Sequence, residues 1–216
     1  MIETGNKQFL LQLESVCPPI KLCKSVQDLK SFSNAFPVVL KPLKAHGGKG
    51  VVKIEDNIVY DGNQSQSLED YLKRIQHELV KDGFLAMKFM KNVHEGDKRL
   101  IVANGKIVAC SLRVPAKGKW LCNVAQGGKS EKTTVTKREK EIIDYIAPIL
   151  LKKGVVMFGA DTLVNDDGER VLSEINTMSV GGIFPAEQEN NSNISQVIMN
   201  EYFNYANKKH ERSTNH

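Results

Sequence analysis

Apolar positions along the chain come in short runs whose period changes repeatedly, and each change marks an expected element. Residues 6–14 and 26–32 carry helical spacing and are separated by the breaker Pro18-Pro19. Residues 37–43 read as a strand, and residues 51–60 alternate weakly around Glu55-Asp56-Asn57, as two short strands or a hairpin. Beyond Ser67, Leu68, Leu72, Ile75 and Leu79 recur on one helical face, and Gly83 closes that helix. Residues 84–90 return to a strand. A polar loop, 91–98, then leads to a hairpin over 99–114 that turns at Asn104-Gly105, a pair suited to the positive φ angles of a tight turn.

The second half is less regular. Residues 115–135 show no period and are expected as a long loop. Thr136 and Glu139 have capping-box spacing for a helix that runs to Lys153, bends at Pro148 and ends at Gly154. A second hairpin, 155–164 with 169–175, surrounds Asn165-Asp166-Asp167-Gly168, and residues 189–207 read as a last helix. Mixed short strands with few helices predict an α+β chain without the regular alternation of a doubly wound sheet. Two lobes are expected, 1–90 and 91–207, followed by a polar, disordered tail at 208–216.

Composition narrows the function. The chain is 41% hydrophobic and 25% charged, with a net charge of +5. Its basic residues are scattered and form no stripe interleaved with aromatics, so no nucleic-acid partner is expected. No run approaches the roughly 20 apolar residues of a membrane span, and the N-terminus lacks a signal-peptide pattern. Four cysteines without CxxC spacing read as reduced core thiols. Together these predict a cytoplasmic protein.

Two stretches carry chemistry. In "FPVVLKPLKAHGGKGVVKIED", residues 36–56, Gly47, Gly48 and Gly50 sit between two apolar runs. A Walker A loop or a dinucleotide fingerprint needs a helix after its glycines. This loop runs strand to strand, so it reads either as an ordinary hairpin turn or as a flap whose bare backbone donates N–H groups to phosphate oxygens. In the second reading Lys41 is the cation beneath the flap. The other stretch is "GADTLVNDDGERVLSEIN", residues 159–176. A two- or four-residue turn there puts Asp161 opposite Leu172, with Glu174 a diagonal neighbour at roughly 7–8 Å and Asn176 one step further along the same face. Asp161, Glu174 and Asn176 read either as a polar solvent face or as a hard-oxygen set suited to Mg²⁺.

With these features in place, the chain resembles the ATP-grasp superfamily, most closely its bacterial glutathione-synthetase branch. The resemblance is colinear from about Asn6 to Glu187 and rests on "NKQF", "VVLKPLKAHGGKGV", "EGDKRLIVANGKIV", "LRVPAKG", "NVAQGGK" and "FGADTL…LSEINTMS". It implies two α+β lobes with mostly antiparallel sheets gripping ATP, and an ATP-dependent carboxylate–amine ligase working through an acyl-phosphate. It implies that Lys7 and Lys41 contact ATP phosphates, that Gly47, Gly48 and Gly50 close over them, and that Met87, Lys88, Phe89 and Met90 form a hinge reading adenine through backbone groups. Asp97 and Arg99 would meet the ribose and phosphate side, Arg113 would steady the acyl-phosphate, and Asp161, Glu174 and Asn176 would hold Mg²⁺. The implied partners are a small-molecule or peptide acid and amine, and either a separate N-terminal domain, which family members carry, or a second copy of the chain. Substrate-side positions depart from the family pattern: Leu121-Cys122 replace Arg-Gly in the loop, and "NTMSVGGIF" replaces a "TSPT"-like segment. Trp120 in that loop either covers a substrate or packs the loop down.

Overall fold

The computed structural model describes residues 3–45, 47–62, 64–122, 128–178 and 180–214. His46 and the central part of the expected long loop, 123–127, lie outside the described residues.

The chain opens with a 3₁₀ segment, Lys7–Val16, capped by the Asn6 side chain, which accepts the Gln8 N–H. There follow β1 (Ile20–Cys23), α1 (Val26–Ser33), β2 (Val38–Pro42), β3 (Val52–Glu55), β4 (Ile58–Asp61), β5 (Gln64–Ser67), α2 (Leu68–Lys81) and β6 (Phe84–Lys88). The six strands form one antiparallel sheet in the order β1-β6-β2-β3-β4-β5. Ser25 and Ser67 accept backbone N–H groups three residues on and so fix where α1 and α2 start. Two strands escaped the sequence pattern. β1 is only four residues long, and β5 is "QSQS", with no apolar residue to set a period.

The second sheet contains β7 (Asp97–Ala103), β8 (Lys106–Val114), β9 (Lys129–Lys132), β10 (Met157–Val164) and β11 (Arg170–Asn176), ordered β11-β10-β7-β8-β9. Asn104 and Gly105 adopt φ of 50° and 78° at the β7–β8 turn, as that dipeptide predicts. Helix α3 (Lys137–Lys152) has the full capping box of Thr136 and Glu139 and passes through Pro148, which is exposed, as a single element. The last helix is two helices, α4 (Ile183–Asn190) and α5 (Ile194–Thr214), separated by Asn191 in the left-handed region. The tail expected to be disordered is instead helical as far as Thr214, where Lys208, Lys209 and Glu211 continue α5 in solvent.

Strand alternation explains the layering. Val38 and Leu40 of β2 pack under α1 and α2 with Val52, Ile54 and Leu72, while Val39 and Lys41 point to the other face. In the second sheet Leu100, Val102, Phe158 and Leu172 meet Ile142, Ile143 and Ile146 of α3. That core also takes in Phe9, Leu10 and Leu13 of the 3₁₀ segment and Leu85 and Met87 of β6, so it joins the two sheets. Asp97, Arg99 and Asp161 occupy the alternate positions and face away from α3. Among the described residues no helix is long and apolar enough to cross a membrane, and all four cysteines are free thiols.

Candidate active site

The face of the first sheet opposite α1 and α2 and the face of the second sheet opposite α3 border a cleft; α4 and α5 pack on the second face beyond it, over Ile101, Ala103 and Met157. The two ends of the cleft differ. At the Lys88–Met90 connection Val51, Phe89 and Trp120 give mainly apolar walls beside the Lys88 and Lys53 side chains, and Val39, Met87 and Leu163 carry the apolar lining on to Lys41, 3.7 Å from the Met87 sulfur. At the other end stand Lys7, Lys41, Asp97, Asp161 and Glu174. Thus one end suits a flat apolar group and the other a charged one.

The glycine loop links β2 to β3, strand to strand, and Gly47, Gly48 and Gly50 all have φ between 65° and 76°. A side chain at those angles is strained, and at Gly50 a Cβ would also press to 3.0 Å from the Pro42 ring. Gly48 borders the cleft. Lys7 is tied to the base of this loop, because its N–H donates to Leu43 O and its ammonium to Ala45 O. The same ammonium lies 3.4 Å from Glu174 Oε1.

The β10–β11 register corrects the sequence-based pairing. The loop runs from Asn165 to Glu169, whose carbonyl accepts the Asn165 N–H, and is longer than a four-residue turn. Ser173 then forms a bulge, so that Asp161 pairs with Glu174 while Thr162 pairs with Leu172. The expectation that Leu172, Glu174 and Asn176 share one face therefore fails. Leu172 is buried under α3, and Glu174 and Asn176 lie on the face of Asp161. The bulge has a further effect: Ser173 O accepts the Lys41 ammonium at 3.0 Å, and Ser173 Oγ donates to Asp161 O at 3.1 Å. Ser173 carried no signal in the sequence, since bulges leave no periodic trace.

Asp97, Arg99, Arg113 and Asp161 form one ionic cluster. Arg113 grips Asp97 through Nε at 2.6 Å and Nη2 at 2.8 Å and reaches Asp161 Oδ2 at 2.9 Å. Arg99 donates to both oxygens of Asp161, with Nη2 at 2.8 Å, and to Gly181 O at 3.1 Å. Burial pushes the Asp161 carboxyl up, but Arg113 and Arg99 outweigh it and hold the group down to about 2. Asp97, where burial prevails over Arg113 and Asp161 adds repulsion, is pushed up instead. Burial also lowers the Lys41 ammonium, against the attraction of Glu174.

The depressed Asp161 stabilises the fold above the ordinary carboxylate range and loses that contribution as pH falls toward 2. Asp97, whose carboxyl is raised to about 6, works the other way: it gains stability as pH falls through about 6 and past the ordinary carboxylate value, and so offsets a minor part of the loss just below about pH 4. Urea unfolding is therefore expected to show about 2 kcal/mol less stability at pH 2 than at pH 4 from Asp161, an acid limb that Asp161→Asn removes.

The expected backbone reading at the hinge is narrowed. The Lys88 and Phe89 N–H groups already donate to Pro19 O and Pro37 O, so those two donors are spent within the protein. Burial pushes the Cys122 thiol up to about 12, which makes it an inert wall of the cleft and not a nucleophile.

As for a metal, Glu174 and Asn176 present hard oxygens on one face, and Asn176 Nδ2 is buried with no hydrogen-bond partner. Both oxygens of Asp161 accept arginine N–H groups. Among the described residues no group of three or more Asp, Glu, His or Cys side chains is arranged to hold a metal ion. One carboxylate and one amide fit Mg²⁺, which commonly keeps most of its shell for water and phosphate.

Residues 6–191 match the family model of the prokaryotic glutathione synthetase ATP-grasp domain. The chain belongs to that family. It is 31% identical over 194 residues to glutathione synthetase of Brucella melitensis, covering 89% of this chain and 58% of that protein. It is 33% identical over 166 residues to glutathione synthetase of Buchnera aphidicola, covering 75% and 47%. The chain thus spans about half the length of the curated relatives it matches. Solved structures with the same fold include the ATP-grasp ligase PsnB complexed with its minimal precursor, at a TM-score of 0.65 and 15% identity, covering 94% of this chain and 60% of that one. D-alanine–D-alanine ligase of Bacillus anthracis, complexed with ATP, aligns at a TM-score of 0.55 and 16% identity, covering 95% and 64%. The fold of this family member is therefore ATP-grasp, with two antiparallel sheets, as the resemblance implied.

Proposed function

We propose that the protein is an ATP-dependent carboxylate–amine ligase whose two sheets act as lobes, divided near residue 90, that hold ATP in the cleft. The observation that carries this is the polarity of the cleft: a mainly apolar pocket at the 88–90 connection, and at the opposite end two lysines from different elements beside Glu174. A purine fits the first and a phosphate chain the second.

Lys7 and Lys41 bind the phosphate oxygens, and the backbone of Gly47, Gly48 and Gly50 closes over them. Glu174 and Asn176 would hold Mg²⁺, and Asp161, whose oxygens accept three arginine N–H groups, keeps one acceptor site on Oδ1 with which it could join them. When bound, Mg²⁺ supplies charge neutralisation at the phosphates. Arg113 and Arg99, held in place by Asp97 and Asp161, face the point where an acid substrate is phosphorylated and an amine then displaces phosphate. Positioning and charge carry the catalysis, with no protein nucleophile. The family supports ATP and Mg²⁺: PsnB has been solved with Mg and ADP. The partial span of the relatives favours a second reading, in which this chain binds nucleotide and turnover needs the portion of those proteins that the chain does not cover.

Calorimetric titration with ADP, with and without Mg²⁺, tests the reading. Mg²⁺ should strengthen ADP binding in the wild type, and Glu174→Gln should remove most of that gain, about tenfold. Binding indifferent to both would overturn it.

A further inference from the structure

The chain has one tryptophan, and it stands in the cleft. Beyond the end of β8 the backbone turns at Gly118, with φ of 77°, and brings Trp120, Leu121 and Cys122 back against the hinge. The Trp120 ring meets Phe89 edge-on, with centroids 5.9 Å apart and planes at 75°. Phe89 is held in turn by the Lys53 ammonium, 4.5 Å from its centroid. Cys122 anchors the other side of the segment: it is buried, and its thiol lies 3.8 Å from Val93 O. A large aromatic ring is thus pinned against Phe89 in a cleft that Val39, Met87 and Leu163 also line.

Packing alone explains this geometry poorly. A loop held down for stability would bury its largest side chain in a core, yet Trp120 belongs to none of the clusters that make up the interior and borders the cleft instead. We infer that Trp120 is a specificity-determining residue for the nucleotide base, supplying with Phe89 an aromatic wall against which a purine ring packs. The inference rests on the proposed nucleotide site and adds a contact made through the side chain. That contact matters here because the N–H groups of Lys88 and Phe89 are already used.

The test uses the full chain and two probes that share a charged tail but differ in the base: ADP and inorganic tripolyphosphate. Because Trp120 is the sole tryptophan, its fluorescence reports directly on that end of the cleft. ADP should change the emission saturably and tripolyphosphate should not. By calorimetry, Trp120→Ala should weaken ADP binding by about tenfold, within the range for loss of one base–aromatic contact, and leave tripolyphosphate binding unchanged. Trp120→Phe should restore most of the ADP affinity. Equal weakening of both probes would make Trp120 a packing residue only and overturn the inference. So would ADP binding that leaves fluorescence and Trp120→Ala affinity unmoved, although the nucleotide site would then stand. If the wild type binds ADP in neither the presence nor the absence of Mg²⁺, the nucleotide reading fails and this inference fails with it.

Discussion

Lys41→Met is expected to lower ADP affinity by about tenfold to a hundredfold while leaving the melting temperature unchanged or slightly raised. The two effects have one origin. Lys41 is a half-buried cation whose ammonium donates to a carbonyl, Ser173 O, and lies 3.7 Å from the Met87 sulfur, with no carboxylate among the described residues in ion-pair contact. Burial lowers its pKa, which means that the surroundings penalise the charge. Methionine fills a similar volume without that penalty, and exchanging buried ionic groups for apolar ones is often neutral or stabilising. A phosphate would repay the penalty through a charge-assisted hydrogen bond worth roughly 1.5–3 kcal/mol. Calorimetry with ADP and a thermal melt on the same preparation check both arms. Loss of stability together with affinity would mean that Lys41 is structural.

Glu139→Ala is expected to do the opposite, costing about 3–5 kcal/mol of stability, or roughly 6–20 °C in melting temperature. Glu139 is fully buried at the start of α3, and its oxygens accept from Thr136 N at 2.8 Å, Thr136 Oγ1 at 2.9 Å, Thr162 Oγ1 at 2.9 Å and Lys98 Nζ at 3.2 Å. Arg170 adds a longer contact at 3.8 Å and donates to the carbonyls of Gly96 and Thr162. Truncation strands the Lys98 charge in the interior and removes the side-chain half of the α3 capping box, while the Glu139 N–H still donates to Thr136 Oγ1. Lys98 and Thr162 alternate with Asp97, Arg99 and Asp161 on the same two strands, so the carboxylate beneath the sheet fixes the strands that carry the ionic cluster above it. Urea unfolding measures the loss. A cost below about 1 kcal/mol would show that water replaces the network.

What could be read from the sequence depended on whether a residue's role is local. The capping box at Thr136, the Asn104-Gly105 turn and the α2 face are encoded within a few neighbouring residues, and each stands where the pattern put it. The strand-to-strand character of the glycine loop was legible for the same reason, because the β-branched pair Val51-Val52 cannot cap a helix. The residues gathered at the cleft were identifiable by type and by resemblance, but their partners were not. Nothing in the spacing says that Asp161 is held by two arginines from β7 and β8, since those pairings join residues far apart in the chain. Register was the weakest inference, because an extra loop residue and a bulge each shift it by one. The long stretch 115–135 hid β9, whose "KSEK" has no apolar residue to mark it.

The Ser173 bulge gives β11 two reading frames. Before it, odd and even positions sort into solvent and core in one phase, and Leu172 falls inward. After it the phase is reversed, and Glu174 and Asn176 fall into the cleft although they sit two and four residues further on. Position 173 is thus constrained twice, by a buried hydroxyl that bonds Asp161 O and by the chain length that sets the frame. Deleting one residue would rotate a carboxylate into the hydrocarbon under α3 and withdraw it from Lys7. Whatever substitutions the site accepts, the strand has no tolerance for a frameshift of a single residue.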